Sequence, residues 1–326
     1  MATDARLPDA PIQRMGLGLA AVGRPGYITP GRTDDLPPER TAAAMRRHTH
    51  ELLDLAYSRG IRYIDTARSY GRAEEFLADW MKNGGDLRDV FIASKWGYAY
   101  TADWHIHAQT HEVKDHSIRT YDRQLAETRS LLGGHLDLYQ VHSVTPDSAA
   151  LTDTALHHRL AALAAEGITV GLTTTGPNQS DAIRAALDIT IDGEPLFHSV
   201  QATWNLLEPS AGPALAEAHD AGRMVIIKEA LANGQLAQRH HQPHLRRVLA
   251  PIADDTGVSF DAIALAAALR QPWADIVLSG AATTCQLTSN LLATTVHLGT
   301  DEVAQLAGLA ETPHTYWTHR SQLPWT

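Results

Sequence analysis

Short apolar runs separated by longer amphipathic stretches set the pattern of this chain. Residues 15–20, 62–67 (RYIDTA), 90–95 (VFIASK), 136–142 (LDLYQVH), 169–174, 198–204, 224–229 and 275–281 (DIVLSGA) are mostly rich in Val, Ile, Leu or Tyr. Near-continuous apolar runs are what strands buried on both faces require. Between them, residues 41–59 place Met45, Leu52, Leu53 and Ala56 near helical spacing, and Gly60 is positioned to end that helix. Ser117 is placed to cap a helix carrying Ile118, Tyr121 and Leu125 on one side. Residues 156–165, 213–222 and 260–270 repeat the scheme. Alternation of strand and helix predicts a parallel sheet. About eight such units favour an α/β fold closed as a (β/α)8 TIM barrel over an open doubly wound sheet. No linker divides the chain, so one domain is expected over residues 1–326, with 1–14 a flexible N-terminal segment.

Composition narrows the function. With 326 residues and 44% apolar side chains, a sizeable core is available. A formal charge of −10 argues against a nucleic-acid partner held through phosphates. No run approaches the 18 or so apolar residues of a membrane span, and the first residues lack a secretory pattern, so a cytoplasmic location is expected. A single cysteine, Cys285, excludes an internal disulfide. The 18 histidines are scattered outside any metal framework, and the local group at His240, His241 and His244 reads as a solvated loop, so no metal is expected.

Chemistry concentrates where the apolar runs end. Asp65 lies near the end of one run, with Tyr70 five residues on; Lys95 and His142 close the next two. Each alone has a structural explanation, an ion pair or a packed histidine. Three such endings on consecutive parallel strands point into one mouth. Tyrosine has a pKa of about 10 and is a poor acid near neutrality. A neighbouring ammonium, Lys95, is expected to lower it, with Asp65 holding Lys95 in place. Tyr70 then serves as general acid toward a carbonyl oxygen that His142 orients or helps to protonate. The irregular stretches are 27–40 and 96–112. The second follows a strand and carries Trp96, Tyr98, Tyr100 and Trp104, which either line an apolar pocket for a flat substrate or simply pack the loop.

Residues 65–74 (DTARSYGRAE) resemble the aldo-keto reductase signature D-T-A-x-x-Y-G-x-[AS]-E. The resemblance continues through Glu166 and Gly167, residues 170–174, Val200 and Gln201, Trp204 and Asn205, Gly280, Gln286, Leu287 and Asn290, and so covers nearly the whole chain. It implies a TIM barrel that binds NADPH or NADH across the strand C-termini, without a Rossmann motif, and a catalytic tetrad of Asp65, Tyr70, Lys95 and His142. It further implies that Thr173, Thr174 and Gln201 hold the nicotinamide carboxamide. Gly280, Ala281 and the helix start near Thr283 and Thr284 would meet the phosphates, and Gln286 and Asn290 the adenosine end. Residues 16–23 lack the ending of a phosphate loop and read as the first strand and its loop.

Two departures matter. Residues 280–286 (GAATTCQ) contain no Lys or Arg to bind a 2′-phosphate. Losing such a charge-assisted contact costs ~1.5–3 kcal/mol, which weighs against strict NADPH preference unless another loop supplies a base. Lys228 stands where the family often stacks an aromatic ring on the nicotinamide; contact with the cofactor pyrophosphate, a pair with Glu229 and an anionic substrate all stay open. Cys285 has no adjacent base and reads as structural. The expected activity is reduction of an aldehyde or ketone, a small-molecule substrate. NAD-linked oxidation of a sugar or other alcohol, and a cofactor-sensing subunit without turnover, are the alternatives. Oligomeric state is not encoded legibly.

Overall fold

The computed structural model describes residues 11–28, 34–84, 87–237 and 242–326. Eight parallel strands close a barrel: β1 (Met15–Gly18), β2 (Tyr63–Asp65), β3 (Phe91–Trp96), β6 (Leu138–Val144), β7 (Thr169–Thr174), β10 (Ser199–Thr203), β11 (Met224–Lys228) and β12 (Ile276–Ser279). The order around the barrel is β1-β12-β11-β10-β7-β6-β3-β2, which closes on itself. Two short antiparallel ribbons lie outside it: β4 (Tyr98–Tyr100) with β5 (Glu112–Lys114), and β8 (Thr190–Ile191) with β9 (Glu194–Pro195). The helices are α1 (Ala42–Ser58), α2 (Ala73–Asn83), α3 (Ile118–Leu132), α4 (Thr154–Ala165), α5 (Gln179–Leu187), α6 (Gly212–Asp220), α7 (Pro243–Thr256), α8 (Phe260–Leu269), α9 (Thr284–Leu291), α10 (Thr300–Ala307) and α11 (Pro313–Ser321). The fold is the expected single-domain (β/α)8 barrel.

Local chemistry starts and stops these elements. Thr41 caps α1 by accepting the Ala44 N–H at 3.2 Å, and the chain leaves through Gly60 at φ 95°. Ser117 caps α3 from the Thr120 N–H at 3.3 Å. Because side chains alternate along a strand, each strand feeds two cores. One fills the space between barrel and helices, with Leu17, Ile64, Ile92, Val141, Val200 and Val277 among its buried residues. A smaller cluster of Tyr63, Ala93, Leu138, Ile226, Ile276 and Leu278 packs together, with the Tyr63 and Phe91 rings stacked at 5.3 Å. These residues plug the barrel interior and leave the strand C-termini as the open end.

Two expectations are revised. Residues 96–112 are not irregular throughout, since β4 and β5 pair as a hairpin over the barrel mouth. Of the segment 1–14, residues 1–10 lie outside the described residues, whereas Pro11–Arg14 is a 3₁₀ turn. Arg14 fastens that turn through the Gln271 and Ala274 carbonyls, each at 3.1 Å.

Candidate active site

The strand C-termini surround a cavity of about 860 Å³, in the upper range for small-molecule sites. Asp65, Tyr70, His142, Gln201 and Lys228 line one part of it; Gly280, Ala281, Gln286 and Asn290 line another. Lys95 is fully buried beneath, donating from Nζ to Asp65 and, at 2.9 Å, to the Thr66 carbonyl. Gln201 Nε2 donates to the other Asp65 oxygen at 2.8 Å. Both carboxylate oxygens are thus committed, which fixes Lys95 Nζ 4.9 Å from the centroid of the Tyr70 ring. Tyr70 and His142 meet edge to face at 5.6 Å, and Tyr98 closes the other side of His142 at 5.1 Å. The four residues separated by up to 77 positions in sequence therefore form one cluster.

Backbone close approach positions Tyr70. Gly71 takes φ 62°, and Gly23 runs so near that a Cβ there would lie 2.3 Å from the Tyr70 carbonyl oxygen. The Arg72 N–H donates to the Gly23 carbonyl at 2.8 Å, fastening the loop after β2 to the loop after β1. Arg24 follows, reaching the Ser69 carbonyl at 2.9 Å and Glu112 at 2.6 Å, with its guanidinium 5.4 Å from the Tyr70 ring centroid.

Electrostatics here differ from expectation in one respect. Burial, with the Asp65 charge adding, holds the Tyr70 phenol well above the usual tyrosine range. Lys95, whose ammonium meets Asp65, does not bring it below the ordinary value as the sequence led one to expect. Burial also pulls Lys95 below the usual lysine value despite Asp65. The His142 imidazole is kept well below its usual value by burial, with Lys95, Lys228 and Arg24 acting in the same direction. His142 is therefore neutral. Ser69 Oγ lies 3.5 Å from its Nδ1; with that hydroxyl donating, Nε2 carries the proton.

Other expected residues are placed differently. Trp96 follows Lys95 on β3 and so points the opposite way, fully buried against Tyr121 at 5.1 Å and His116 at 5.9 Å. Tyr100 and Trp104 border a separate hollow with Arg72 and Glu75; Trp104 Nε1 donates to the Arg40 carbonyl at 2.8 Å. Of the four loop aromatics, Tyr98 lines the main cavity. Thr173 and Thr174 are fully buried beneath the wall. The Thr173 hydroxyl accepts the Ser143 N–H at 2.7 Å, where β6 bulges and Ser143 takes φ 59°, and Thr174 bonds Gln179 at 3.4 Å. Ser143 and Thr175 line the cavity in their place. Glu229 does not pair with Lys228: it turns at φ 55° toward Arg320, whose Nε is 2.9 Å away, and toward Thr203 Oγ at 3.0 Å. Cys285 is not packed in the core but exposed on the cavity wall. His240 and His241 lie outside the described residues, and among the described residues no His, Cys, Asp or Glu group has metal-binding geometry. No described helix is long and apolar enough to cross a membrane.

The region around β12 and α9 presents open backbone and amide side chains to the cavity. Gly280 faces open space, with nothing within 4 Å of where a Cβ would stand, so backbone is accessible to a ligand there. Thr283 caps α9 from the Gln286 N–H at 3.1 Å, and Gln286 Oε1 accepts the Ala282 N–H at 2.8 Å. Asn290, oriented to satisfy both ends of its amide, accepts from Ser279 Oγ and donates to Asp261, each at 2.9 Å. Gln286 and Asn290 thus brace this wall while lining it. Sequence reasoning missed Asp261, Arg24, Glu112, Arg320 and Trp325, all of which line the cavity. Their partners are tens of residues away, and no local pattern announces them.

A parallel barrel thus brings a buried Asp–Lys pair, a tyrosine and a neutral histidine together at its strand ends. The chain belongs to the aldo/keto reductase family, whose model matches residues 14–311. Members of that family typically use a nicotinamide cofactor on small carbonyl substrates. An aldo-keto reductase of Strobilurus tenacellus is 32% identical over 81 residues, covering 25% of this chain and only 20% of that protein. The holo form of an aldo-keto reductase from Bacillus halodurans superposes with a TM-score of 0.68 at 21% identity, covering 92% of both chains. A Pseudomonas aeruginosa protein assigned to the aldo-keto reductases gives 0.62 at 24% identity, covering 86% of this chain and 89% of that one. The last two likenesses are of fold.

Proposed function

We propose that this protein reduces the carbonyl group of a small aldehyde or ketone, with Tyr70 as the proton donor. A nicotinamide cofactor bound along the wall from Gln201 to Gly280 and Gln286 supplies the hydride. The chain's own residues do the rest. His142, neutral and donating from Nε2, orients the carbonyl oxygen. Tyr70 gives its phenolic proton to that oxygen as negative charge develops on it, and the resulting phenolate is reprotonated from solvent. Asp65, itself held by Gln201, positions the Lys95 ammonium that faces the Tyr70 ring as the phenolate forms.

The observation that carries this reading is the single cluster of Asp65, Tyr70, Lys95 and His142 at the floor of the cavity. Burial leaves Tyr70 protonated near neutrality, the form in which it starts carbonyl reduction. An alkoxide is a stronger base than a phenolate, so that phenol still donates to it. The same group serves alcohol oxidation in reverse, as phenolate and base, by microscopic reversibility.

Tyr70→Phe is expected to lower kcat/KM by about 10²–10⁴-fold toward a responsive carbonyl compound such as 4-nitrobenzaldehyde. NADH and NADPH affinity, followed by tryptophan fluorescence, should stay close to wild type. Turnover retained in Tyr70→Phe would remove Tyr70 from the role of acid.

A further inference from the structure

The cations around the cavity are not equivalent. Lys95 meets Asp65, Arg24 meets Glu112 at 2.6 Å, and Arg320 meets Glu229. Lys228 lines the same cavity with no carboxylate of the described residues within salt-bridge distance. The neighbour that could neutralise it, Glu229, is drawn away by its own backbone turn and by Arg320 and Thr203. Lys228 ends β11 level with Thr203 of β10, two residues past Gln201 on that strand. That places it on the wall between the Asp65–Tyr70–His142 cluster and the loop after β12. An ammonium in a half-enclosed site without a salt-bridged counter-charge costs desolvation free energy, which the more distant Glu229 charge offsets only in part and an incoming anion offsets further.

We infer that Lys228 is the binding point for a carboxylate carried by the substrate, so that the chamber selects carbonyl compounds bearing an anionic group. This rests on the reductase reading above. The same oxyanion chemistry could come from the cofactor pyrophosphate. Against that source, Gly280 and the start of α9 already provide an open backbone surface on the next strand. Burial pulls the Lys228 pKa down to about 8, with Arg320 and Lys95 lowering it further and Glu229 and Asp65 opposing. An anion bound beside it, which His142 in its neutral form does not repel, raises that value again. Anion binding near pH 8 should therefore be accompanied by proton uptake.

The test compares 2-, 3- and 4-carboxybenzaldehyde with the corresponding nitrobenzaldehydes, near-isosteric but neutral, in wild type, Lys228→Met and Lys228→Arg. At least one carboxy isomer should be preferred by wild type. Lys228→Met should lower that kcat/KM ratio by at least about tenfold, and Lys228→Arg should restore most of it. Calorimetry supplies a readout independent of turnover: benzoate should bind wild type saturated with oxidised cofactor, with proton uptake at pH 8, and not Lys228→Met. Circular dichroism checks folding, with Lys228→Gln as the second neutral variant. An unchanged ratio and unchanged benzoate binding overturn the proposal. A tenfold loss of cofactor affinity with the ratio unchanged also overturns it and assigns Lys228 to the pyrophosphate. Absence of turnover on every aldehyde, with benzoate binding still dependent on Lys228, leaves the anion site standing and removes the reductase reading instead.

Discussion

A carboxylate at position 261 borders the part of the cavity assigned to the adenosine end. Asp261 accepts from Ser289 Oγ at 2.7 Å and from the Asn290 amide, and among the described lining residues near it no Lys or Arg answers its charge. A 2′-phosphate arriving there meets like charge, whereas a ribose hydroxyl can donate to the carboxylate. We therefore expect NADH to be preferred. Asp261→Asn should shift the NADPH-to-NADH ratio of kcat/KM upward by about tenfold, roughly the 1.4 kcal/mol of one modest charge–charge contact; an unmoved ratio would assign cofactor choice elsewhere. At this scale the sequence was legible only in part. Asp65, Lys95 and His142 stand out because a lone charge at the end of an apolar run has no packing reason to be there. Asp261 does not, since an acid in the first turn of a helix is what the helix dipole favours anyway. A pair of Lys228 with Glu229 stood among the open readings because the two are adjacent, and a φ of 55° at Glu229 is invisible in composition.

The eight barrel strands were legible as elements because burial on both faces imposes an apolar run that polar loops cannot imitate. The hairpin of β4 and β5 was not, because its second strand, Glu112–Lys114, carries two charges in three residues and lies mostly in solvent. That hairpin leads directly into His116, which ties three elements together. His116 Nε2 donates to the His142 carbonyl at 2.8 Å, and its Nδ1 lies 2.6 Å from Ser148 Oγ, beneath Gly97 at the end of β3. Burial drops its pKa to about 4 from about 6.5. The folded state thus binds fewer protons than the unfolded chain between those values. The stabilisation is complete above pH 6.5 and is lost as pH falls toward 4, by roughly 3 kcal/mol. Thermal denaturation of His116→Gln across pH 4–7 should show a flatter slope than wild type, the remainder belonging to His142. An unaltered slope would mean that His116 does not bear this load.

Over the whole molecule, one contact joins parts that the sequence keeps farthest apart in meaning. Arg320, in α11, reaches 91 positions back to Glu229 at the end of β11. Burial would raise Glu229, but Arg320 and Lys228 overcome it and hold the carboxyl at about 2 instead of 4.5. Glu229 therefore stabilises the fold fully above about pH 4.5 and loses that contribution as pH falls toward 2. Arg320→Met should destabilise the protein by about 3–5 kcal/mol at pH 7, measured by urea unfolding, because it strands a buried charge. It should also raise KM, since Arg320 lines the cavity. A loss below about 1 kcal/mol would show the pair to be screened like a surface one.

The residues after α11 also return to the mouth. Tyr27 and Thr326 exchange backbone hydrogen bonds at 3.2 and 3.0 Å, and Trp325 lies flat on His111 with centroids 3.9 Å apart. His111 belongs to the hairpin connection, so the stack joins the hairpin to the residues after α11. Mechanically they form a single latch. Neither can swing outward without parting the rings, a contact worth about 0.5–1.5 kcal/mol beyond its buried area. Because Trp325 also lines the cavity, the stack ties the stiffness of that side of the entrance to a ring that shapes the chamber itself.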